Sequence, residues 1–213
     1  MKKGKLIVIE GNDGSGKETQ SKLLLERLQK SGKQVKLISF PDYKSDSSAL
    51  VKMYLGGEFG SKPEDVNIYA ASTFFGVDRF ASYVKNWKDF YLNGGIVICD
   101  RYTTANMVHQ AGKLETKEEK DEYLSWLTNL EFNLYGLPAP DTVIFLKVEP
   151  EVTEELIRNR PNKITACEKK DIHERKDFLI KSYENALYIA EKYHWTRSEE
   201  HTSELQSHHD LVC

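Results

Sequence analysis

The chain of 213 residues is poor in cysteine and has no long apolar run, and both shortages limit its class. Its three cysteines have neither metal-site nor disulfide-framework spacing, which favours a reducing, cytoplasmic compartment. No run approaches the about 18 apolar residues that indicate a membrane span. The basic start Met1–Lys3 leads into an apolar strand instead of a signal peptide. We therefore expect a soluble globular protein with no membrane partner.

Neither sign of charge dominates once the last residues are set aside. Residues 197–213 resemble the translation of a common sequencing adapter and have no helical or strand period. We therefore expect a non-native tail there and assign 1–196 to a single domain. The tail holds one basic and four acidic residues, so the remainder has 29 of each. The absence of a basic stripe argues against a nucleic-acid partner.

The most informative stretch is the glycine-rich segment Gly11–Thr19. It follows the apolar, β-branched run Leu6–Ile9 and precedes a helical pattern that ends before Gly32. In this setting backbone N–H groups and a helix N-terminus bind phosphate, and Lys17 has the position that reaches the β- and γ-phosphates. The predicted ATP-binding residues are Gly11, Asn12, Asp13, Gly14, Ser15, Gly16, Lys17, Glu18 and Thr19.

Glu18 departs from this motif, which has a Mg²⁺-ligating serine or threonine directly after the lysine. A carboxylate can also ligate Mg²⁺, although it adds negative charge beside a polyphosphate. We predict that Glu18 binds the ion directly or through water. Asp100, at the end of a later apolar strand, is the second predicted metal ligand.

Short apolar strands alternate with helical stretches along the rest of the chain. This alternation predicts an α/β fold with three layers, in which helices cover both sides of a parallel sheet of about five strands. A last strand should begin near Trp195, and we expect the tail to have replaced it. The polar, lysine-rich segment 159–173 has no apolar period and is expected to be a mobile loop. Its lysines could fold over a bound nucleotide; the alternative is a solvated run of charge.

Two further pairs of residues are candidates for substrate or metal binding. Asp100 and Arg101 end a buried strand, where the carboxylate can hold Mg²⁺ and the arginine can bind an anionic acceptor; the alternative is an ion pair that caps the next helix. Phe75 and Arg79 are four residues apart on a predicted helix, so they can stack on a base and donate to it. The alternative is a core phenylalanine and a surface arginine.

Four segments together resemble the thymidylate kinase family of nucleoside monophosphate kinases, over residue 5 to about 196. They are IEGNDGSGKETQ at 9–20, FPDY at 40–43, FFGVDRF at 74–80 and DRYTTANMVHQAG at 100–112. The third and fourth segments are much more specific than the phosphate loop alone. The resemblance implies transfer of the γ-phosphoryl group of ATP to dTMP with Mg²⁺ as cofactor, in a P-loop fold and a homodimer.

The resemblance also implies how the acceptor nucleotide is bound. Phe75 would stack on thymine, Arg79 would meet a thymine carbonyl, and Gln110 would lie near the base. Phe40 would help to line the pocket, and Arg101 would bind the dTMP phosphate.

For catalysis, the resemblance implies that Asp13 contacts the dTMP sugar near the reacting oxygens. The predicted catalytic set is Lys17, Asp13, Arg101 and Asp100. The resemblance makes residues 159–173 the lid. Lys169 and Lys170 are its candidate cations, because Ile172 stands where the family often has an arginine.

Other positions also differ from the family pattern. Tyr43 stands where many members have a phosphate-binding arginine, which Lys44 could replace, and His109 stands where a tyrosine is usual. Two alternatives therefore remain: a kinase for another pyrimidine nucleotide, and an ATP-binding module without catalysis. The D-x-x-G match at 13–16 is part of the glycine-rich loop itself; apart from it we find no D-x-x-G motif and no N-K-x-D motif of a GTPase switch.

Overall fold

Five parallel strands form one sheet in the computed structural model, which describes residues 3–153 and 176–198. The strands are β1 (Lys5–Gly11), β2 (Val35–Ser39), β3 (Ile96–Asp100), β4 (Thr142–Leu146) and β5 (Thr196–Ser198). Their order is β2-β3-β1-β4-β5, so the strand that leads into the glycine-rich loop is central. Ile9 is aligned with Asp100, and the carboxyl ends of β1 and β3 are therefore adjacent.

Helices connect the strands and cover both faces of the sheet. The α-helices are α1 (Lys17–Lys30), α2 (Ala49–Leu55), α3 (Ile68–Ser82), α4 (Lys88–Leu92), α5 (Thr103–His109), α6 (Lys117–Thr128) and α7 (Lys176–Lys192). Residues 150–153 are helical as well. Wider π-helical turns follow α3 and α6 at Tyr83–Trp87 and Asn129–Leu134, and single 3₁₀ turns occur at Asp46–Ser48, Pro63–Asp65 and Ala111–Lys113. No helix in the described ranges is both long and apolar enough to span a bilayer.

Successive residues of β1 point to opposite faces of the sheet, as in any strand. Leu6 and Val8 belong to the large core formed with α5, α6 and α7, whereas Ile9 packs with the leucines of α1 on the other side. Burial on both faces explains why the central strands are continuous apolar runs without alternation. The glycine-rich loop therefore starts from a central strand that is packed on both faces.

The parallel α/β arrangement predicted from the sequence is confirmed, but the expected loss of the last strand is wrong. Thr196–Ser198 pairs with β4, where Ile144 is aligned with Thr196 and Leu146 with Ser198. Backbone groups supply this pairing, so it needs no side-chain pattern. Trp195 is buried beside Phe145 at the start of the strand, which brings β5 to the sheet edge. The predicted lid 159–173 and the rest of the tail, 199–213, lie outside the described residues.

Candidate active site

The loop between β1 and α1 has the backbone conformation that phosphate binding requires. Gly14 and Gly16 both have φ of +84°, in the left-handed region that side chains rarely adopt. Gly16 precedes the first residue of α1, and no side chain caps that helix. The N–H groups of the first turn are therefore available to an anion, and they lie at the positive end of the helix dipole.

Lys17 is 7% exposed, and its ammonium group lies back over the loop. Nζ donates to the carbonyl oxygen of Gly11 at 2.8 Å and to that of Asn12 at 2.6 Å. Burial, and then the neighbouring Arg101 guanidinium, lowers the pKa of Lys17 to about 8. The charge is thus held in a fixed place, and a polyphosphate beside it would favour the protonated form.

Two side chains of the same loop are buried with unused hydrogen-bonding capacity. Within residues 3–153 and 176–198, Oδ1 and Nδ2 of Asn12 and Oγ of Ser15 have no hydrogen-bond partner. A buried polar group without a partner is costly, so such groups are usually matched by a ligand or by water. The loop therefore fits a polar ligand such as the phosphates of ATP.

Arg101 comes directly after β3 and points toward the loop. Its backbone has φ of +66°, and its N–H donates to the carbonyl oxygen of Ile9 at 3.1 Å, which ties β3 to β1. Nη2 donates to Oδ1 of Asp13 at 2.7 Å, and Nη1 lies 3.5 Å from Oε1 of Glu10. The alternative that Asp100 and Arg101 cap the following helix is wrong, because α5 has no side-chain cap.

Asp13 completes this charged cluster. Desolvation alone raises the pKa of the Asp13 carboxyl, but Arg101 and Lys17 outweigh it and hold that pKa well below its usual value. Asp13 is therefore ionised throughout the physiological range. Two cations and their carboxylates thus converge at the adjacent ends of β1 and β3.

Glu10 is a functional candidate that sequence reasoning missed. Its carboxylate is fully buried, and it accepts hydrogen bonds from the Gly11 N–H at 3.0 Å and the Thr104 hydroxyl at 2.7 Å. It therefore connects the start of the loop to α5 and adds a second negative charge beside Arg101. The signal was a glutamate inside an otherwise apolar strand, directly before the glycine-rich loop.

The two predicted metal ligands lie in different surroundings. Glu18 has a half-exposed side chain whose Oε1 accepts from Nζ of Lys22 at 2.8 Å, one turn further along α1. Asp100 is 8% exposed at the end of β3, where its charge acts on Lys17. No group of three or more potential metal-ligating side chains occurs in the part of the chain that the structure describes.

Two of the predicted base-binding residues, Phe75 and Gln110, meet around Tyr54. The ring of Phe75 is edge-on to that of Tyr54, with centroids 6.0 Å apart, and Nε2 of Gln110 lies 3.5 Å from the Tyr54 hydroxyl. Oε1 of Gln110 is buried and has no hydrogen-bond partner among the described residues. Phe40 packs on Tyr102 with centroids 5.9 Å apart. Tyr54 was missed because nothing in its local sequence distinguishes it from a core residue.

Arg79 is almost fully buried, so the alternative of a surface arginine is wrong. Its guanidinium donates to both carboxylate oxygens of Glu131, through Nε at 2.7 Å and through Nη2. The Thr103 hydroxyl donates to the same carboxylate at 2.6 Å, and Nη1 of Arg79 lies 3.4 Å from the Tyr102 carbonyl oxygen. Contact between Arg79 and a base stays a prediction. The lid cations Lys169 and Lys170 lie outside the described residues.

Comparison with known proteins gives a consistent set of relatives. A family model described as "Thymidylate kinase" matches residues 9–211. A thymidylate kinase of Plasmodium falciparum is 29% identical over 211 residues, which cover 99% of this chain and 89% of that protein. A thymidylate kinase of Mycobacterium tuberculosis H37Rv is 33% identical over 156 residues, which cover 73% and 71%.

A solved thymidylate kinase structure has a fold similar to that of this chain. The thymidylate kinase of Candida albicans matches with a TM-score of 0.68 at 24% identity, covering 92% of this chain and 83% of that one. At this identity the likeness concerns the fold alone.

Proposed function

The chain belongs to the thymidylate kinase family of nucleoside monophosphate kinases, and we propose that its glycine-rich loop and Arg101 hold ATP and dTMP for phosphoryl transfer. In this reaction a phosphate oxygen of dTMP forms a bond to the γ-phosphorus of ATP. The bond from that phosphorus to the β,γ-bridging oxygen breaks, which gives dTDP and ADP. The convergence of Lys17, Asp13 and Arg101 at the ends of two adjacent strands is the observation that carries the proposal.

The residues act mainly by position and charge. Lys17 and the first-turn N–H groups of α1 would bind the β- and γ-phosphates, and Arg101 would bind the acceptor phosphate at the end of the neighbouring strand. Because the acceptor is already an anion, no strong base is needed. Asp13 would keep Arg101 in a fixed orientation through the 2.7 Å contact and lie near the dTMP sugar.

The donor set fits Mg²⁺ as a cofactor shared with the substrate. This ion commonly takes only one or two carboxylates and fills its other positions with water and phosphate oxygens, so a cluster of three protein ligands is not required. Asp100 or Glu18 would hold it. When bound, Mg²⁺ neutralises charge on the β- and γ-phosphates.

A substitution at Glu18 tests its predicted role in holding the ion. In Glu18→Ala we expect the Mg²⁺ concentration for half-maximal turnover to rise about tenfold, because one oxygen ligand is lost. Glu18→Ser, which restores the hydroxyl of the motif, should recover part of that loss. The measurement is the initial rate against free Mg²⁺ at saturating ATP and dTMP. Identical curves for all three proteins would exclude Glu18 as a ligand.

The acceptor is proposed to be dTMP. The aromatic pair of Tyr54 and Phe75, together with the free Oε1 of Gln110, suits a flat base with one N–H to donate. Tyr43 packs against the same cluster of α2 and α3, in the position where many relatives have an arginine. Specificity among pyrimidine nucleotides is therefore the part of the proposal most open to test.

The experiment is ADP release from Mg-ATP with dTMP, dUMP, UMP, dCMP and AMP offered separately. We expect dTMP to give the highest kcat/KM. Higher turnover with another pyrimidine nucleotide would move the proposal to that acceptor. If the folded protein binds ATP but no acceptor supports ADP release, the alternative of a binding module without catalysis is favoured.

We further propose a cytoplasmic homodimer. Val77, Phe80 and Val84 are 47%, 43% and 49% exposed, and their spacing places them on one side of α3 and its π-helical turn. Leu134 is 71% exposed at the end of the second π-helical turn. Exposed apolar patches commonly mark contact surfaces. A sedimentation mass equal to one chain would contradict the dimer.

A further inference from the structure

His109 lies at the end of α5 against the guanidinium of Arg101. Nε2 of its ring is 3.0 Å from Nη1 of Arg101, and Nδ1 is 3.2 Å from Oγ of Ser182 on α7. The ring stacks on Phe178 with centroids 6.0 Å apart and planes 20° apart. His109 and Ser182 are both buried. The imidazole therefore connects α7 to the arginine that is proposed to bind the acceptor phosphate.

Donor and acceptor chemistry determines which ring nitrogen carries the proton. A guanidinium has only donors, so Nε2 must present a lone pair to Nη1. The proton then lies on Nδ1 and is donated to the Ser182 hydroxyl, whose oxygen can accept it. A doubly protonated ring would direct an N–H at Arg101 and bring two positive charges together. In agreement, burial and then the Arg101 charge lower the pKa of His109 to about 3.

We propose that His109 is a positioning residue, which accepts a hydrogen bond from Arg101 and so directs the guanidinium at the acceptor phosphate. The proposal rests on the proposed role of Arg101. Asp13 and Glu10 lie beside this guanidinium, and the Asp100 carboxylate also acts on its charge. A further carboxylate at position 109 would neutralise it more and weaken its attraction for phosphate. A neutral imidazole orients Nη1 without adding negative charge, and Ser182 fixes its tautomer.

The test compares His109→Phe, His109→Gln and Arg101→Ala with the parent protein. Phenylalanine keeps a ring that can stack on Phe178 but removes the acceptor. We expect His109→Phe to raise the KM for dTMP about tenfold, the effect of one hydrogen bond to a charged group. The KM for ATP should change less than about twofold. His109→Gln, whose amide oxygen can accept from Arg101, should restore most of the dTMP affinity. A purely structural role would not separate the two substrates or respond to the glutamine.

Two outcomes would distinguish a failure of the role proposed for His109 from a failure of the role proposed for Arg101. If Arg101→Ala raises the KM for dTMP and His109→Phe does not, His109 has no positioning role, while the proposed role of Arg101 stands. If Arg101→Ala leaves the KM for dTMP unchanged, both proposals are overturned.

A spectroscopic measurement on the unmutated protein is independent of turnover and of the folding of any variant. In ¹H–¹⁵N spectra we expect His109 to be the neutral tautomer with the proton on Nδ1 from about pH 5 to 8, because its pKa is far below the usual value near 6.5. A protonated Nε2 in this range would overturn the proposal.

Discussion

Replacement of Lys17 by methionine is expected to lower kcat for phosphoryl transfer by at least about 10³-fold. Removal of a single preorganised donor to developing charge commonly costs about 10²- to 10³-fold, and Lys17 brings a full positive charge in addition. Methionine keeps the unbranched, apolar stem of the side chain, so the buried volume changes little. The variant also loses both hydrogen bonds to the Gly11 and Asn12 carbonyl groups, which hold the loop in shape.

The measurement is kcat at saturating ATP and dTMP, together with the free energy of unfolding of the same sample. Lys22→Met is the matched control, because Lys22 lies on the same helix with its ammonium group exposed and paired with Glu18. It should retain kcat within about twofold, since exposed pairs contribute little. A Lys17→Met enzyme within tenfold of the parent would show that this lysine does not carry the proposed role.

The second large effect is expected on stability, in Glu131→Gln. This substitution removes the negative charge that faces the buried Arg79 guanidinium, and it leaves Arg79 without a compensating partner. Breaking one side of a buried ion pair commonly costs about 3–5 kcal/mol. The free energy of unfolding, measured in urea, should fall by that amount. The loss should appear in the protein without any bound ligand, because both side chains are buried in that state.

A double substitution separates the charge effect from the packing effect. Apolar replacement of a complete buried pair is often neutral or stabilising, so Arg79→Met/Glu131→Leu should recover much of the stability lost in Glu131→Gln. Lys22→Met, which removes an exposed pair on α1, serves again as control and should cost below about 0.5 kcal/mol. A Glu131→Gln protein as stable as that control would mean that Arg79 finds another partner.

The fold could be predicted where its signals are local. The apolar run of β1, the glycines after it and the periodicity of α1 lie within thirty residues, and together they identify the phosphate loop. The position of Arg101 beside that loop was predictable too, because strands in α/β folds present their carboxyl ends to one side. Trp195 indicated the start of a last strand, but the pairing of the three residues after it was not predictable, because it depends on a backbone edge and they have no pattern of their own.

The missed site residues depend on contacts between distant parts of the chain. Glu131 lies 52 positions from Arg79, and Thr104 lies 94 positions from Glu10, so no local pattern connects them. The available signal in the sequence was a charged residue at a position predicted to be buried, with no oppositely charged residue close to it along the chain. Glu10 in its apolar strand gave such a signal, whereas Glu131 lies in a stretch whose helical period is widened by the π-helical turn. The sequence therefore indicated the residues that carry the chemistry of the site better than the residues that position them.

The pairing of β1 with β3 fixes the spacing between the glycine-rich loop and Arg101. The phosphate loop and Arg101 extend from neighbouring strands that lie about 4.8 Å apart, and the Arg101 N–H adds one more bond to their ladder. The distance between the proposed donor and acceptor subsites is thus set by the backbone of these two strands. One residue inserted into β3 would shift Arg101 by about 3.3 Å and turn it to the opposite face. Site geometry should therefore tolerate changes of side chain in these strands far better than changes of length.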